Sequence, residues 1–282
     1  MRTRSLLPAT VLLLWSVPAA VTAQTPMPTS QPNIVTIFRE DVKYGHNADH
    51  EKTEMGWPAA YARAKSPGTY IALTSMTGPN EAWFVQPFAS WKAVGDNMKF
   101  ESDNAELSAE LAHLSKADAE HVTAGRTVHL AARADLSAGT FPNVAKIRFY
   151  DITWFRVRPG HEQEFERLAK VFQAGYKKAA PQASYRLYQV TAGVPGPAFV
   201  VFSSFQTIAE LDKGRATDAA VMATFSAADQ SALQKFSAEG LINTETQRFA
   251  MNGPMSYVDQ ATIDQDPAFW RPKKPAPKKV TP

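Results

Sequence analysis

The sequence predicts an α+β protein that contains two copies of one βαββαβ unit. The stretch at 147–212 has a weaker copy about 115 residues upstream, and both copies show strand-like and helix-like patterns in the same order. The two copies align without a gap for about 50 residues. Matching positions at an offset of 115 are Gly45 and Gly160, His46 and His161, Tyr61 and Tyr176, and Tyr70 and Tyr185. This internal repeat predicts the architecture and assigns no chemistry.

The first repeat is predicted to span residues 33–140. Its elements are a strand at 34–42, a helix at 47–65, strands at 70–76 and 81–88, a helix from 91, a helical stretch at 115–124 and a closing strand at 127–136. The turn at 77–80 contains a Gly-Pro pair, so we expect the two middle strands to form a hairpin.

The second repeat, at 146–258, follows the same order with clearer patterns. Its elements are a strand at 146–157, a helix at 162–178, strands at 185–191 and 198–202, a helical region at 226–241 and a closing strand at 246–257. The apolar face of its long helix has the spacing i, i+3, i+4, i+7, i+11 and consists of Phe165, Leu168, Ala169, Phe172 and Tyr176. Each repeat therefore has the ferredoxin-like order, a four-stranded antiparallel sheet with helices on one face.

One run of residues in the second repeat resembles a known superfamily. It reads Val157-Arg158-Pro159-Gly160-His161-Glu162, then Glu164-Phe165, Tyr185-Arg186-Leu187-Tyr188 and the helix-opening pair Ser204-Phe205. This pattern resembles the dimeric α/β-barrel superfamily, which includes antibiotic-biosynthesis-monooxygenase-like and NIPSNAP-like domains. The resemblance implies that the two repeats pair as an intramolecular pseudo-dimeric α/β barrel, because closure covers the sheet faces that one unit would leave exposed.

Composition and the N-terminus predict an exported globular protein. The chain has 282 residues, of which 44% are hydrophobic and 20% are charged, as in ordinary globular proteins. Residues 1–23 are typical of a secretory signal peptide, with Arg2 and Arg4 before an apolar stretch and small residues before Gln24. We expect no integral membrane segment after cleavage, and a periplasmic or extracellular location. The absence of Cys excludes disulfides and thiolate-bound metal centres.

Two polar segments flank the repeats. Residues 24–32 are rich in Pro, Ser and Thr and are predicted to be a mobile linker, whereas residues 259–282 are predicted to be a basic Pro/Lys-rich tail. The tail is expected either to be solvated or to contact an anionic envelope surface. Most of the net charge of +3 lies in this tail, so the folded part gives no support for nucleic-acid binding.

The repeat also identifies candidate ligand-binding residues. Subtracting 115 from the apolar helix positions of the second repeat gives His50, Thr53, Glu54, Trp57 and Tyr61. Polar residues on an inward helix face either line a cavity or pair with one another. Arg39 replaces Trp154 on the first strand and is expected to meet Glu54. We therefore predict a helix–sheet cavity in the first repeat, lined by Arg39, His50, Glu54, Trp57 and Tyr61.

Two alternatives compete with this prediction. Pro58 favours a kink, which could rotate the helix and leave His50 in water; the inward face would then be Ala48, Lys52, Met55 and Ala59. His46 and His50 are spaced i, i+4 and could share a metal ion, but the order is not H-E-x-x-H and His161 matches His46 without a second His. We therefore predict no metal site.

Three functions stay open at this point. The first is a binding protein for a small, partly apolar molecule in the first-repeat cavity. The second, implied by the resemblance, is a cofactor-free or haem-dependent monooxygenase-like enzyme; no cofactor is otherwise predicted, and no catalytic residue is assigned. The third is a non-catalytic envelope scaffold that acts through the barrel exterior and the basic tail. Self-association is compatible with each of them.

Overall fold

The structure is a computed structural model that describes residues 24–272. Eight strands form one closed barrel in the order β1-β3-β2-β8-β5-β7-β6-β4, and the helices lie outside it. This confirms the predicted pseudo-dimeric α/β barrel with two ferredoxin-like repeats. The predicted signal peptide at 1–23 and the last part of the predicted tail, 273–282, lie outside the described residues.

The elements of the two repeats follow the same order. The first repeat contains β1 (Ile34–Val42), α1 (Asn47–Glu54), α2 (Gly56–Arg63), β2 (Tyr70–Ser75), β3 (Glu81–Phe88), α3 (Trp91–Asp103), α4 (Ala105–Asp118) and β4 (Val122–Ala132). The second contains β5 (Phe149–Val157), α5 (Glu162–Ala179), β6 (Tyr185–Ala192), β7 (Ala198–Phe205), α6 (Gly214–Met222), α7 (Ala227–Glu239) and β8 (Leu241–Tyr257). Two short helices follow, α8 (Gln260–Gln265) and α9 (Pro267–Trp270).

Several predicted boundaries differ from the structure, among them the helical stretch predicted at 115–124, which is α4 at Ala105–Asp118. The helix predicted at 47–65 is two helices, α1 and α2, which meet at Met55. Pro58 lies in the first turn of α2, where a residue without an N–H group breaks no helical hydrogen bond. The closing strands β4 and β8 both begin five residues earlier than predicted. Their first five residues are mostly exposed and lack regularly alternating large apolar side chains, so no strand pattern marks them in the sequence.

Two antiparallel strand pairs join the repeats into a barrel. β2 pairs with β8, with Leu73 opposite Met251, and β4 pairs with β6, with Leu130 opposite Val190. Without these two pairs each four-stranded sheet would have two open edges. The barrel interior is filled by a hydrophobic cluster with side chains from both repeats, among them Val35, Ile37, Trp83, Trp154, Val200 and Phe249.

A buried ionic network lies inside the barrel beside this hydrophobic cluster. The Glu81 carboxylate accepts hydrogen bonds from Arg39 at 2.8 Å, from the Trp83 indole at 2.9 Å and from Gln247 at 3.3 Å, and it also contacts Arg126. The Arg39 guanidinium lies 4.3 Å from the centre of the Trp83 ring. The predicted contact between Arg39 and Glu54 is therefore wrong. Side chains alternate between the two faces of a strand, and Arg39 points into the barrel whereas the helices lie on the other side.

The two segments that flank the repeats are packed where the structure describes them. Met27, in the predicted linker at 24–32, is buried, and its N–H donates to Asp259 at 2.8 Å. Trp270 in α9 is completely buried, and its indole donates to the Ala145 carbonyl at 3.3 Å. The predictions of a mobile linker and of a solvated tail are wrong for these residues. Met27 and Trp270 lie in Pro-rich sequence, but their apolar side chains pack in the hydrophobic cluster of the barrel.

Helices long and apolar enough to cross a membrane are absent from residues 24–272.

Replacing Arg39 with Met should lower the free energy of unfolding by about 3 kcal/mol, because it removes the more buried of the two arginines that pair with the buried Glu81 carboxylate. Urea denaturation monitored by circular dichroism measures this loss. The control is Arg63→Met, because Arg63 and its partner Glu110 are largely exposed, and it should cost less than about 1 kcal/mol. Equal losses in the two variants would show that the network is not a structural requirement.

Candidate functional site

Four ionisable side chains meet between the sheet and the helices of the first repeat. Glu40 comes from β1, His50 and Glu54 from α1, and Asp118 is the last residue of α4; all four are buried. We call this group the His50 cluster. One nitrogen or oxygen atom from each side chain lies within 4.8 Å of the others.

Helix and strand periodicity explain how these residues meet. His50 and Glu54 are one helical turn apart, so their side chains share the face of α1 that packs on the sheet. On β1 the side chain of Glu40 points away from the barrel interior and towards α1. The rotated helix that Pro58 could have produced is not observed. Ala48, Lys52, Met55 and Ala59 are all exposed.

The geometry of the His50 cluster centres on the imidazole. His50 Nε2 lies 2.9 Å from Glu40 Oε2 and 3.8 Å from Asp118 Oδ1. Asp118 Oδ1 has no hydrogen-bond partner among the described residues. Three carboxyl groups thus lie around one imidazole in a dry environment, where they cannot all carry a charge without compensation.

Burial sets the protonation of two of these carboxyl groups. Burial, and next the neighbouring Glu40 and Asp118, raise the pKa of Glu54 to about 10. The same causes, burial first and then Glu40, raise the pKa of Asp118 to about 6. At neutral pH Glu54 is therefore protonated, and its carboxylic acid can donate a hydrogen bond or a proton.

The second repeat shows what this part of the fold looks like without a polar cluster. The counterparts of Glu40, His50 and Glu54 at the offset of 115 are Phe155, Phe165 and Ala169. The rings of Phe155 and Phe165 lie 5.5 Å apart. Phe236 of α7 contacts Phe165, as Asp118 of α4 contacts His50 in the first repeat. These aromatic residues belong to one hydrophobic cluster. The same backbone arrangement is therefore stable with apolar side chains, and the His50 cluster is not required by the fold.

The remaining predicted site residues have different surroundings. Trp57 is half-buried in α2. Its indole N–H lies near Glu54 and opposes the rise of the Glu54 pKa. The indole N–H makes no regular hydrogen bond within residues 24–272. Tyr61 is buried and donates to Glu101 at 3.2 Å. Its ring stacks on Tyr257 at 5.6 Å and meets Tyr70 edge-on at 6.0 Å. The structure therefore brings His50, Glu54 and Trp57 together, with Tyr61 one turn further along.

Sequence reasoning missed Glu40 and Asp118. Glu40 had a detectable signal, because its counterpart Phe155 is apolar and strand alternation places it on the opposite face from Arg39. Asp118 had none, because it lies beyond the stretch where the two repeats align without a gap. His46 and His50 do not share a site: His46 Nδ1 lies 3.1 Å from His121 Nδ1.

A second candidate location is a pocket of about 80 Å³ at one end of the barrel. Its lining is mainly apolar and includes Met27, Phe141, Tyr150, Tyr188 and Phe202. Arg186 is also there, with a buried guanidinium that donates to the carbonyls of Ala138, Tyr185 and Gly139. The contacts to three carbonyl groups satisfy most of its donors, so a structural role accounts for Arg186.

Comparison with known proteins supports the fold. No protein-family model matches this sequence, and no curated protein sequence matches it either. Among solved structures, a monooxygenase-like protein of Fusobacterium nucleatum is 11% identical, with a TM-score of 0.51 over 79% of this chain and 93% of that chain. An anthrone oxidase-like protein is also 11% identical, with a TM-score of 0.51 over 80% of this chain and 93% of that chain.

The chain has the dimeric α/β-barrel fold. The order of its eight strands and these two similar structures agree on this point. A chlorite dismutase of Candidatus Nitrospira defluvii also matches, at 9% identity and a TM-score of 0.48, over 80% of this chain and 93% of that chain. Identities this low show the fold and leave the activity to the residues of this chain.

Replacing Glu54 with Gln should change how stability depends on pH. Because the folded pKa of Glu54 is raised, its contribution to stability is fully present below the ordinary pKa near 4.5 and is lost as pH rises towards about 10. Wild-type stability should therefore fall relative to Glu54→Gln by up to about 1.4 kcal/mol per pH unit between pH 5 and 8.

Urea denaturation over this pH range measures the difference. A chelator should be present so that no metal ion binds to the carboxyl groups of the His50 cluster. The other ionisable groups of this cluster are Glu40, His50 and Asp118. Glu51→Gln on the same helix is the control and should follow the wild-type pH dependence. Parallel curves for wild type and Glu54→Gln would contradict a buried, protonated Glu54.

Proposed function

We propose that the protein binds a small, partly apolar molecule between the helices and the sheet of its first repeat, with the polar group of that molecule at the His50 cluster. The observation that carries this proposal is a set of three buried polar side-chain atoms without hydrogen-bond partners in the first repeat. Trp57 Nε1, Tyr70 Oη and Asp118 Oδ1 are buried and have no hydrogen-bond partner in the described part of the chain. The Trp57 indole lies close enough to Glu54 to lower the pKa of Glu54, and Glu54 lies close enough to Tyr70 to raise the pKa of Tyr70.

Unsatisfied buried polar atoms are unusual in folded proteins. Each costs about 1–3 kcal/mol when no partner replaces the lost water. The indole and the phenol offer donors and the Asp118 carboxylate offers an acceptor, so a ligand with one hydroxyl group, which both accepts and donates, could complete them. The second repeat shows that apolar side chains would avoid this cost, which supports a functional reason for the polar ones.

The apolar part of the ligand would have aromatic surroundings. Tyr61, Tyr70, Phe84 and Tyr257 belong to one buried cluster in the first repeat, and Trp57 packs against it from a half-buried position. The rings of Tyr70 and Phe84 meet edge-on at 6.0 Å. Aromatic walls with a few polar groups are typical of small-molecule sites, and they favour a planar, partly apolar ligand.

An enzyme is the second candidate function, and the pair of His50 and Glu40 favours it. A carboxylate at 2.9 Å from an imidazole nitrogen orients the ring, and a protonated Glu54 on the same face can act as an acid. Such a pair could move a proton to or from a bound phenol or ketone. Proton transfer of this kind is the step that a cofactor-free monooxygenase-like enzyme requires of its protein groups.

Haem does not fit at His50. Haem coordination needs open space for the flat porphyrin ring beside the coordinating imidazole nitrogen. Nε2 of His50 instead faces Glu40 at 2.9 Å and Asp118 at 3.8 Å. Haemin titration should therefore give the same absorption spectra with wild-type protein and with His50→Ala, whereas a Soret shift that disappears in the variant would establish His50 as a ligand.

The protein is further proposed to be exported, acting in the periplasm or outside the cell. Its support is the N-terminal sequence, with Arg2 and Arg4 before an apolar stretch and small residues before Gln24. Mass spectrometry of the protein from the native envelope fraction would show an N-terminus at Gln24 if cleavage occurs there.

Binding of 1-naphthol, a planar molecule with one hydroxyl group, tests the proposed site. The variants Trp57→Phe and Tyr70→Phe each retain an aromatic ring and remove one unsatisfied donor. We expect each to weaken binding about fivefold in isothermal titration calorimetry, because one hydrogen bond is worth about 1 kcal/mol.

Trp154→Phe is the matched control. Trp154 also has an indole N–H without a partner among the described residues, but it lies inside the barrel. Its variant should bind 1-naphthol like wild type. Weaker binding in Trp154→Phe, with normal binding in Trp57→Phe, would place the ligand in the barrel and refute the proposed site. Undetectable binding to wild type would leave the scaffold function as the better explanation.

A further inference from the structure

We infer that Glu40, His50, Glu54 and Asp118 form a binding site for a divalent transition-metal ion. Three carboxyl groups and one imidazole each offer a possible ligand atom, and all four atoms lie within 4.8 Å of one another. In a tetrahedral site with bonds of about 2.1 Å, ligand atoms are about 3.4 Å apart. The observed 2.9 Å between Glu40 and His50 and 3.8 Å between His50 and Asp118 bracket this value, so small side-chain rotations would complete the site.

The unpartnered oxygen of Asp118 is a second observation that points to a cation at this cluster. The Asp118 side chain is only 4% exposed, and its Oδ1 atom points at His50 Nε2 from 3.8 Å, too far for a hydrogen bond. No other described residue donates to it. A buried carboxylate oxygen in this position has no hydrogen-bond donor among the described residues, and a bound metal ion would supply the positive charge that satisfies it.

The donor set determines the class of metal. Imidazole nitrogen suits Zn²⁺, Fe²⁺ and other first-row transition metals, while carboxylate oxygens also suit Mn²⁺. Ca²⁺ prefers six to eight oxygen ligands, and Mg²⁺ keeps several waters, so neither matches a dry site with one nitrogen donor. We therefore expect Zn²⁺ or Mn²⁺ to bind and Ca²⁺ not to bind.

The position of the site gives the metal a structural consequence. Its donors come from β1, α1 and α4 of the first repeat. In the second repeat the corresponding elements β5, α5 and α7 are joined by contacts among Phe155, Phe165 and Phe236. Metal coordination would join the same three elements in the first repeat. Binding should therefore raise the unfolding temperature, because a ligand that binds the folded state selectively stabilises it.

This inference goes beyond the proposed function and does not depend on it. The metal ion alone is the probe, and no organic ligand is present. Failure to bind 1-naphthol would not contradict the metal site. Failure to bind metal would not contradict the 1-naphthol site, which the Trp57→Phe and Tyr70→Phe variants test separately.

Chelator-treated full-length protein should be titrated with Zn²⁺ and with Mn²⁺, using calorimetry and, for Mn²⁺, electron paramagnetic resonance. We expect one ion per chain, a higher unfolding temperature, and no response to Ca²⁺. Asp118→Asn and Glu54→Gln should each weaken binding by about tenfold to a hundredfold. Both variants replace a buried carboxyl group with a neutral amide of nearly the same size, so they are expected to fold, and thermal unfolding checks this.

Two controls make the result decisive. Glu101→Gln changes a half-buried carboxylate of the same repeat that bonds to Tyr61 and Asn97, and it should bind metal like wild type. His121→Gln removes the histidine that contacts His46, and it should also have no effect. The inference is overturned if folded wild-type protein binds neither ion at concentrations on the order of 1 mM. Unchanged binding in Asp118→Asn and Glu54→Gln, or its loss in His121→Gln, would overturn it as well.

Discussion

The pairing of β2 with β8 and of β6 with β4 is the constraint on which the rest of this structure depends. Each ferredoxin-like sheet has two edges whose backbone groups need partners, and the other repeat supplies them. Because both repeats are in one chain, closure does not need a second molecule. The barrel interior then becomes a single core to which both halves contribute, and the helices are free to differ between the halves.

This freedom explains how the two repeats diverged. In the second repeat the helix–sheet layer is apolar, with Phe155, Phe165 and Phe236 in contact. In the first repeat the corresponding layer holds Glu40, His50, Glu54 and Asp118, which stability alone would not favour. A duplicated fold can retain one half as the apolar support and use the other half for a site, since barrel closure stabilises both.

Much of the candidate site could be predicted by comparing the repeats, because an amphipathic helix has a fixed period. The apolar stripe of α5 identified His50 and Glu54 as inward-facing, and both are buried. The predicted contact of Arg39 with Glu54 was wrong because an offset in sequence does not say which face of a strand a side chain occupies. Asp118 could not be found, because α4 reaches His50 only through the packing of distant elements. Met27 and Trp270 were likewise assigned to flexible segments by composition, although their side chains are buried against the barrel.

The sequence by itself determined the repeat, the order of strands and helices, and the apolar faces, since these depend on local periodicity and turn chemistry. The tertiary structure decided which polar residues meet. It brought carboxylates from a strand and two helices around one imidazole, and it left Trp57 Nε1, Tyr70 Oη and Asp118 Oδ1 without partners in the described chain. Such contacts depend on how elements far apart in sequence pack, and burial then gives them their altered protonation and their capacity to bind.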